Sequence, residues 1–145
     1  MEPLISATTL HSHRYGSRFS RADTFLAKAS RLPAQAAQAR SQGRLADAVE
    51  FAYQAGLRAA GARLAEAGSP RSRSRRAGQG AFDRLRKLSV ADAAWAERMS
   101  RFSRVRSRLA IGLDSEVETK VVDRLISEVS AFLASIEAAD ELSAA

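Results

Sequence analysis

Arginine is the residue type through which this sequence is best equipped to bind a ligand. The 145-residue chain contains 20 arginines and 3 lysines. A guanidinium donates charge-assisted hydrogen bonds to phosphate oxygens, often two at a time. Two groups of arginines therefore predict contact with the phosphate backbone of RNA or DNA. One group lies in a polar stretch, and the other is spaced to lie within about 60° on the outer side of a helix. These candidates are Arg71, Arg73, Arg75 and Arg76, and Arg101, Arg104 and Arg108.

The charge distribution leaves a second interpretation of this basic surface open. The formal net charge is +7, but residues 68–110 hold 12 basic and 3 acidic side chains, whereas residues 111–145 hold 2 basic and 8 acidic ones. A basic middle followed by an acidic end predicts either an anionic partner or pairing of the two segments within the fold. In the second case the arginines form a solvated face that the acidic segment balances.

The sequence contains few residues suited to catalysis or metal binding. The chain has no cysteine, and its two histidines are His11 and His13. A His-x-His pair could contribute to a metal site, but no carboxylate lies near it in the sequence. No P-loop, dinucleotide fingerprint or Gly-x-Ser-x-Gly motif is present. We therefore expect solvated histidines, no metal, no cofactor and no catalytic residue, and the chain is not expected to be an enzyme.

The elements that position the arginines are predicted to be helices. Apolar residues recur with helical periodicity in four long segments and one short one, and Ser89-Val90-Ala91-Asp92 predicts a capping box. The expected fold is an all-α, four-helix bundle with a short extra helix and a long Arg/Ser-rich loop between helices 2 and 3. The predicted helices are 21–41, 44–67, 81–88, 90–110 and 116–139, and the loop is 68–80. A flexible arm over 1–19 and a frayed tail over 141–145 are expected to flank a single domain over 20–140.

Arg106 stands apart from the other arginines, because the helical pattern places it on the same side as the apolar residues Met99 and Phe102. A guanidinium at such a position must find a hydrogen-bond acceptor. One interpretation is a structural ion pair with the last predicted helix, 116–139, for instance with Glu128 or Asp123. Another is a position near the end of the helix, where this side opens to water.

Two further features concern assembly and location. Ala52, Gly56 and Ala59 make one side of helix 2 nearly flat, which permits close approach of another helix and favours a homodimer. No apolar run approaches 18 residues, and the first five residues lack the features of a secretory signal. We therefore expect a cytoplasmic protein that does not enter a membrane.

Three stretches together resemble small actinobacterial proteins of the HEPN superfamily. They are Tyr53–Leu64 with its Ala/Gly-rich side, Trp95–Arg106 after the Arg-rich loop, and Val121–Glu137, which ends in Phe-Leu-x-x-Ile-Glu. The resemblance covers roughly residues 20–138. It implies a bundle of four to five helices that commonly dimerises. It also implies a connection with RNA or DNA, because active members are metal-independent RNases with an Arg-x4–6-His motif.

The RNase motif itself is missing, since no arginine precedes either histidine in these 145 residues. The resemblance therefore implies the HEPN fold without RNA cleavage. We expect a non-catalytic, nucleic-acid-binding accessory factor; the alternative is a protein-interaction or dimerisation module with no role in nucleic-acid binding. A third and more distant hypothesis is an RNase with a different site. The resemblance also offers another role for Arg106, as the remnant of a HEPN arginine that lines a dimer groove.

Overall fold

The computed structural model describes residue 27 and residues 29–69, 77–111 and 118–144. Within these ranges the chain forms five α-helices and no β-strand, which confirms the predicted all-α class. No helix among them has the length and apolar character needed to cross a membrane. The helices are α1 (29–41), α2 (Leu45–Glu66), α3 (Ala77–Arg86), α4 (Val90–Ala110) and α5 (Thr119–Ala144).

Two helix boundaries differ from the prediction by four residues or more. The short helix α3 begins at Ala77 rather than at 81, so the last four residues of the predicted loop 68–80 are helical. Two glycines in this turn lower its helix propensity, but burial of Phe82 and Leu85 against the core anchors the helix. Helix α5 continues to Ala144, beyond its predicted end at 139 and into the predicted tail. The arm 1–19 and the four arginines of 71–76 lie outside the described residues.

Helix α2 is the central element of the bundle and packs against α3, α4 and α5. Its buried positions are mostly alanines, distributed over more than one side of the helix. Alanine and glycine allow neighbouring helix backbones to approach closely, so one helix can serve several neighbours at once. The larger side chains that fill the remaining space come mainly from the surrounding helices. The largest fully buried ones are Phe132, Leu85, Met99, Leu125, Val49, Val122 and Val129.

Gly56 lies at a close approach between these helices. A Cβ atom at this position would lie 3.1 Å from the Met99 Sδ atom and 3.7 Å from the Val129 Cγ2 atom. The flanking Ala52 and Ala59 are fully buried as well. The Ala/Gly strip is therefore used inside the monomer, where it receives α4 and α5. It does not supply the dimer surface that the sequence suggested, and the homodimer itself stays a prediction.

Replacing Gly56 with leucine is expected to destabilise the protein by about 3 kcal/mol, near the upper end for overpacked cores. The added side chain would begin against Met99 and Val129, which are themselves fully buried. Gly56→Ala is the matched control. Its methyl group needs only a small shift of the flexible Met99 side chain, and the gain in helix propensity of about 1 kcal/mol offsets that strain. Urea unfolding of both variants measures the difference, and equal midpoints would contradict the packing described here.

The start of α4 is held by a buried carboxylate. Ser89 is the N-cap, and its Oγ atom accepts a hydrogen bond from the Asp92 backbone N–H at 3.0 Å, which confirms the N-cap half of the predicted capping box. The same hydroxyl donates to Asp92 Oδ2 at 2.7 Å. Arg63 of α2 donates to both carboxylate oxygens, at 3.0 and 3.1 Å. Asp92 thus joins the cap of α4 to the last turn of α2 and sets the position of the helix that carries the basic side chains.

Candidate nucleic-acid interface

The outer side of α4 presents the three arginines that the sequence predicted there. Arg101, Arg104 and Arg108 are all exposed, whereas Met99 and Phe102 on the opposite side are buried. Arg101 and Arg104 form no ion pair with any residue in the described ranges. Their guanidinium groups are therefore available to an anion that approaches α4 from solvent. We call these three residues the α4 basic face.

Most of the arginines elsewhere in the bundle are used differently. Six of them lie within 4 Å of a carboxylate, and three of these pairs have two hydrogen bonds at 2.8–3.1 Å. Among the described arginines without an ion pair to a described residue, Arg101 and Arg104 lie one turn apart on the outer side of one helix, which concentrates positive charge at that face. The paired arginines are Arg40, Arg44, Arg63, Arg86, Arg98 and Arg106.

A groove of about 580 Å³ lies beside the α4 basic face, between α4 and α5. Four cationic and two acidic side chains line it, together with the apolar Phe102 and Val121. Lys120 and Arg124 were not among the predicted site residues, although they are the two basic residues of the acidic segment 111–145. Their spacing of four residues places them on one side of α5, and this spacing is the sequence feature from which they could have been predicted. The charged lining residues are Arg98, Arg101, Glu118, Lys120, Arg124 and Glu128.

The groove residue Arg98 lies against an aromatic pair. The Trp95 ring stacks on Phe132, with a distance of 5.1 Å between ring centroids and an interplanar angle of 20°. The Arg98 guanidinium lies 4.7 Å from the Trp95 ring centroid and 3.9 Å from the Glu128 carboxylate. Trp95 is therefore occupied by contacts within the chain. Since exposed aromatic rings are what bases stack on, binding through this side of the molecule would depend on phosphate contacts.

The structure corrects the predicted partner of Arg106. Its guanidinium donates to Glu50 of α2 at 2.9 and 3.1 Å and lies 4.9 Å from the centroid of the Tyr53 ring. The predicted partners are engaged elsewhere, Glu128 with Arg98 and Asp123 with Arg40. The prediction failed because periodicity shows which side of α4 carries Arg106 but not which helix lies opposite. Here that helix is α2, and the structural ion pair that the sequence suggested links α4 to α2.

Two side chains at this ion pair have shifted pKa values, for different reasons. The hydrogen bonds from Arg106 hold the pKa of Glu50 below its ordinary value, and burial raises the pKa of Tyr53. A carboxyl group whose pKa is lower in the folded state stabilises the fold above its unfolded pKa, near 4.5. That contribution is lost as the pH falls through the lower pKa of the folded state.

Glu50→Gln tests this linkage. At neutral pH we expect the variant to be less stable than the unmodified protein by about 0.5–1 kcal/mol, because both partners are partly exposed. The difference should shrink as the pH falls below about 4.5 and vanish once Glu50 is protonated. Urea unfolding measured at a series of pH values gives the result. Because other carboxylates titrate equally in both proteins, a difference that stays constant across this range would contradict the role of Glu50.

The comparison with known families agrees with the architecture. Residues 34–137 match the family model described as SAV_6107-like HEPN. The match covers more than two thirds of the chain and includes all of α2, α3 and α4, the Arg-rich stretch and most of α5. No histidine occurs within the matched segment. A comparison with curated proteins gives no match.

Proposed function

Because the chain belongs to the SAV_6107-like HEPN family, we propose that it is a HEPN domain that binds RNA or DNA through the phosphate backbone and does not cut it. The observation that carries the proposal is the α4 basic face. Arg101 and Arg104 are exposed and form no ion pair with a described residue, in a bundle where six other arginines contact carboxylates. Arg108 lies on the same side of α4, and the sequence carries four more arginines at 71–76.

The absence of histidine from the matched segment supports a non-catalytic role. Cleavage of RNA by general acid–base catalysis needs a group that changes its protonation near neutral pH, and histidine is the usual one. Both histidines of this chain precede residue 34, where the family match begins. An RNase with a different site would be revealed by RNA cleavage that survives a high-salt wash and removal of residues 1–19.

The binding itself is tested by its dependence on salt. Contact with about 4–6 phosphates predicts a slope of about −4 to −5 in a plot of log affinity against log salt concentration for duplex DNA. We expect Gln at positions 101, 104 and 108 to make that slope shallower by up to about three units, because each lost phosphate contact is worth about 0.9. Glutamine has a high helix propensity, so α4 should persist. Fluorescence anisotropy with a labelled duplex measures the slope.

A charge-matched control separates local contacts from net charge. Replacing Arg31, Arg44 and Lys87 with Gln removes an equal number of positive charges from exposed positions outside α4. This control should retain a slope close to that of the unmodified protein. If both variants lose affinity equally, attraction to the overall charge rather than the α4 basic face explains binding.

The alternative function is a protein-interaction or dimerisation module. It would be favoured if the purified protein failed to bind nucleic acid even at low salt and carried none through purification. The buried Ala/Gly strip does not provide the surface for this role. The homodimer, the cytoplasmic location and the actinobacterial origin remain predictions from the sequence.

A further inference from the structure

The groove between α4 and α5 brings two cations of α5, which the backbone-binding surface does not require, beside an arginine of the α4 basic face. Arg101 approaches from α4, and Lys120 and Arg124 approach from α5. All three are exposed, and none forms an ion pair with a residue in the described parts of the chain. Three cations from two different helices thus face one space, where no described carboxylate neutralises them by direct contact.

The two acidic side chains of the groove restrict the anion that could enter it. Glu118 immediately precedes α5, and Glu128 lies ten residues further along the chain, about 15 Å away at the rise of an α-helix. Lys120 and Arg124 lie between them in the sequence. A nucleic-acid strand that followed α5 along the groove would bring phosphates close to both carboxylates. A compact anion at the cations avoids that repulsion.

We propose that this groove binds a terminal phosphate, the phosphomonoester at the end of a nucleic-acid strand. This inference rests on the proposed nucleic-acid binding and deepens it. A phosphomonoester carries a charge of about −1.5 to −2 at neutral pH and offers three acceptor oxygens, so it suits a cluster of three cations better than a singly charged phosphodiester does. The groove volume of about 580 Å³ also falls within the usual range for small-molecule sites.

The same geometry gives the strand a route out of the groove. Arg101 belongs both to the groove lining and to the α4 basic face. Arg104 and Arg108 follow it at intervals of three and seven residues, which keeps them on the same side of the helix. A strand whose end is held by Lys120 and Arg124 can therefore lay its next phosphates along α4. This arrangement assigns different tasks to the two sets of residues, so they can be tested separately.

The test compares single-stranded oligonucleotides of one sequence with a 5′-phosphate, with a 3′-phosphate, or with hydroxyl groups at both ends. We expect at least one phosphorylated end to tighten binding by about tenfold at constant salt. Combining Lys120→Gln with Arg124→Gln should abolish that preference and leave binding of the hydroxyl form nearly unchanged. The matched control, Arg31→Gln with Lys87→Gln, removes two exposed charges outside the groove and should retain the preference.

Competition with a nucleoside monophosphate identifies the source of the phosphate and separates this inference from the proposed function. If all oligonucleotides bind equally and the monophosphate does not compete, the inference is wrong and the backbone-binding proposal stands. If no oligonucleotide binds but the monophosphate binds in a manner that depends on Lys120 and Arg124, the proposed function is wrong. In that case the groove is a phosphomonoester site for a free nucleotide.

Discussion

Changing the four arginines of residues 71–76 to serine is expected to make the salt dependence of nucleic-acid binding shallower by up to about four units. Each of these side chains can neutralise one phosphate and release the counterions bound to it. The stretch 70–76 contains no apolar residue with helical periodicity, so we expect the substitution to leave the core unchanged. The free energy of unfolding should therefore stay within about 0.5 kcal/mol of its original value. The substituted residues are Arg71, Arg73, Arg75 and Arg76.

Two further measurements make this result decisive. A variant with the order Arg-Arg-Ser-Arg-Ser-Arg at 71–76 keeps the charge of the natural Arg-Ser-Arg-Ser-Arg-Arg. It should retain the slope, because phosphate contacts carry no sequence information. The phosphate contacts can be divided between this stretch and the α4 basic face. In that case the reduction in slope caused by serine at 71–76 and the reduction caused by glutamine at 101, 104 and 108 should together approach the full slope of about −4 to −5. An unchanged slope in the serine variant would remove residues 71–76 from the binding surface.

The parts of this surface that lie on one helix could be predicted from the sequence. The spacing of Arg101, Arg104 and Arg108 determines their common direction once α4 forms, and the Ser89–Asp92 motif marks where α4 begins. Both predictions depend on the regular turn of a single helix. The structure places all three arginines at the surface and Ser89 at the N-cap.

Features that require two helices could not be predicted in the same way. Glu50 and Arg106 are 56 residues apart, and nothing in either helix shows that α2 lies opposite this side of α4. The groove depends likewise on α5 bringing Lys120 and Arg124 beside Arg101. Gly56 was recognised as a site of close approach, but the approaching side chains, Met99 and Val129, belong to the same chain rather than to a second copy. Hydrophobic periodicity shows which side of a helix is buried, whereas the fold determines which helix packs against that side.

Replacing Arg63 with leucine is expected to destabilise the protein by about 3–5 kcal/mol, the usual cost of leaving one partner of a buried ion pair uncompensated. The Asp92 side chain is only 6% exposed and loses two hydrogen bonds, at 3.0 and 3.1 Å. The Ser89 hydroxyl, which still donates to Asp92 Oδ2, is neutral and cannot replace a positive charge. Arg63 is itself 34% exposed, so the reverse change, Asp92→Asn, leaves a cation that water can reach and should cost less.

The combination of Arg63→Leu with Asp92→Asn shows whether the uncompensated Asp92 carboxylate causes the loss of stability. If it is, the double variant should be more stable than Arg63→Leu alone, because asparagine removes the uncompensated carboxylate while its amide oxygen still accepts a hydrogen bond from Ser89. Urea unfolding of the four proteins completes this double-mutant cycle. A cost below about 1 kcal/mol for Arg63→Leu, or equal stability of Arg63→Leu and the double variant, would contradict this role of the ion pair. The junction of α2 and α4 would then be held by apolar packing, and the ion pair would not be what positions the α4 basic face.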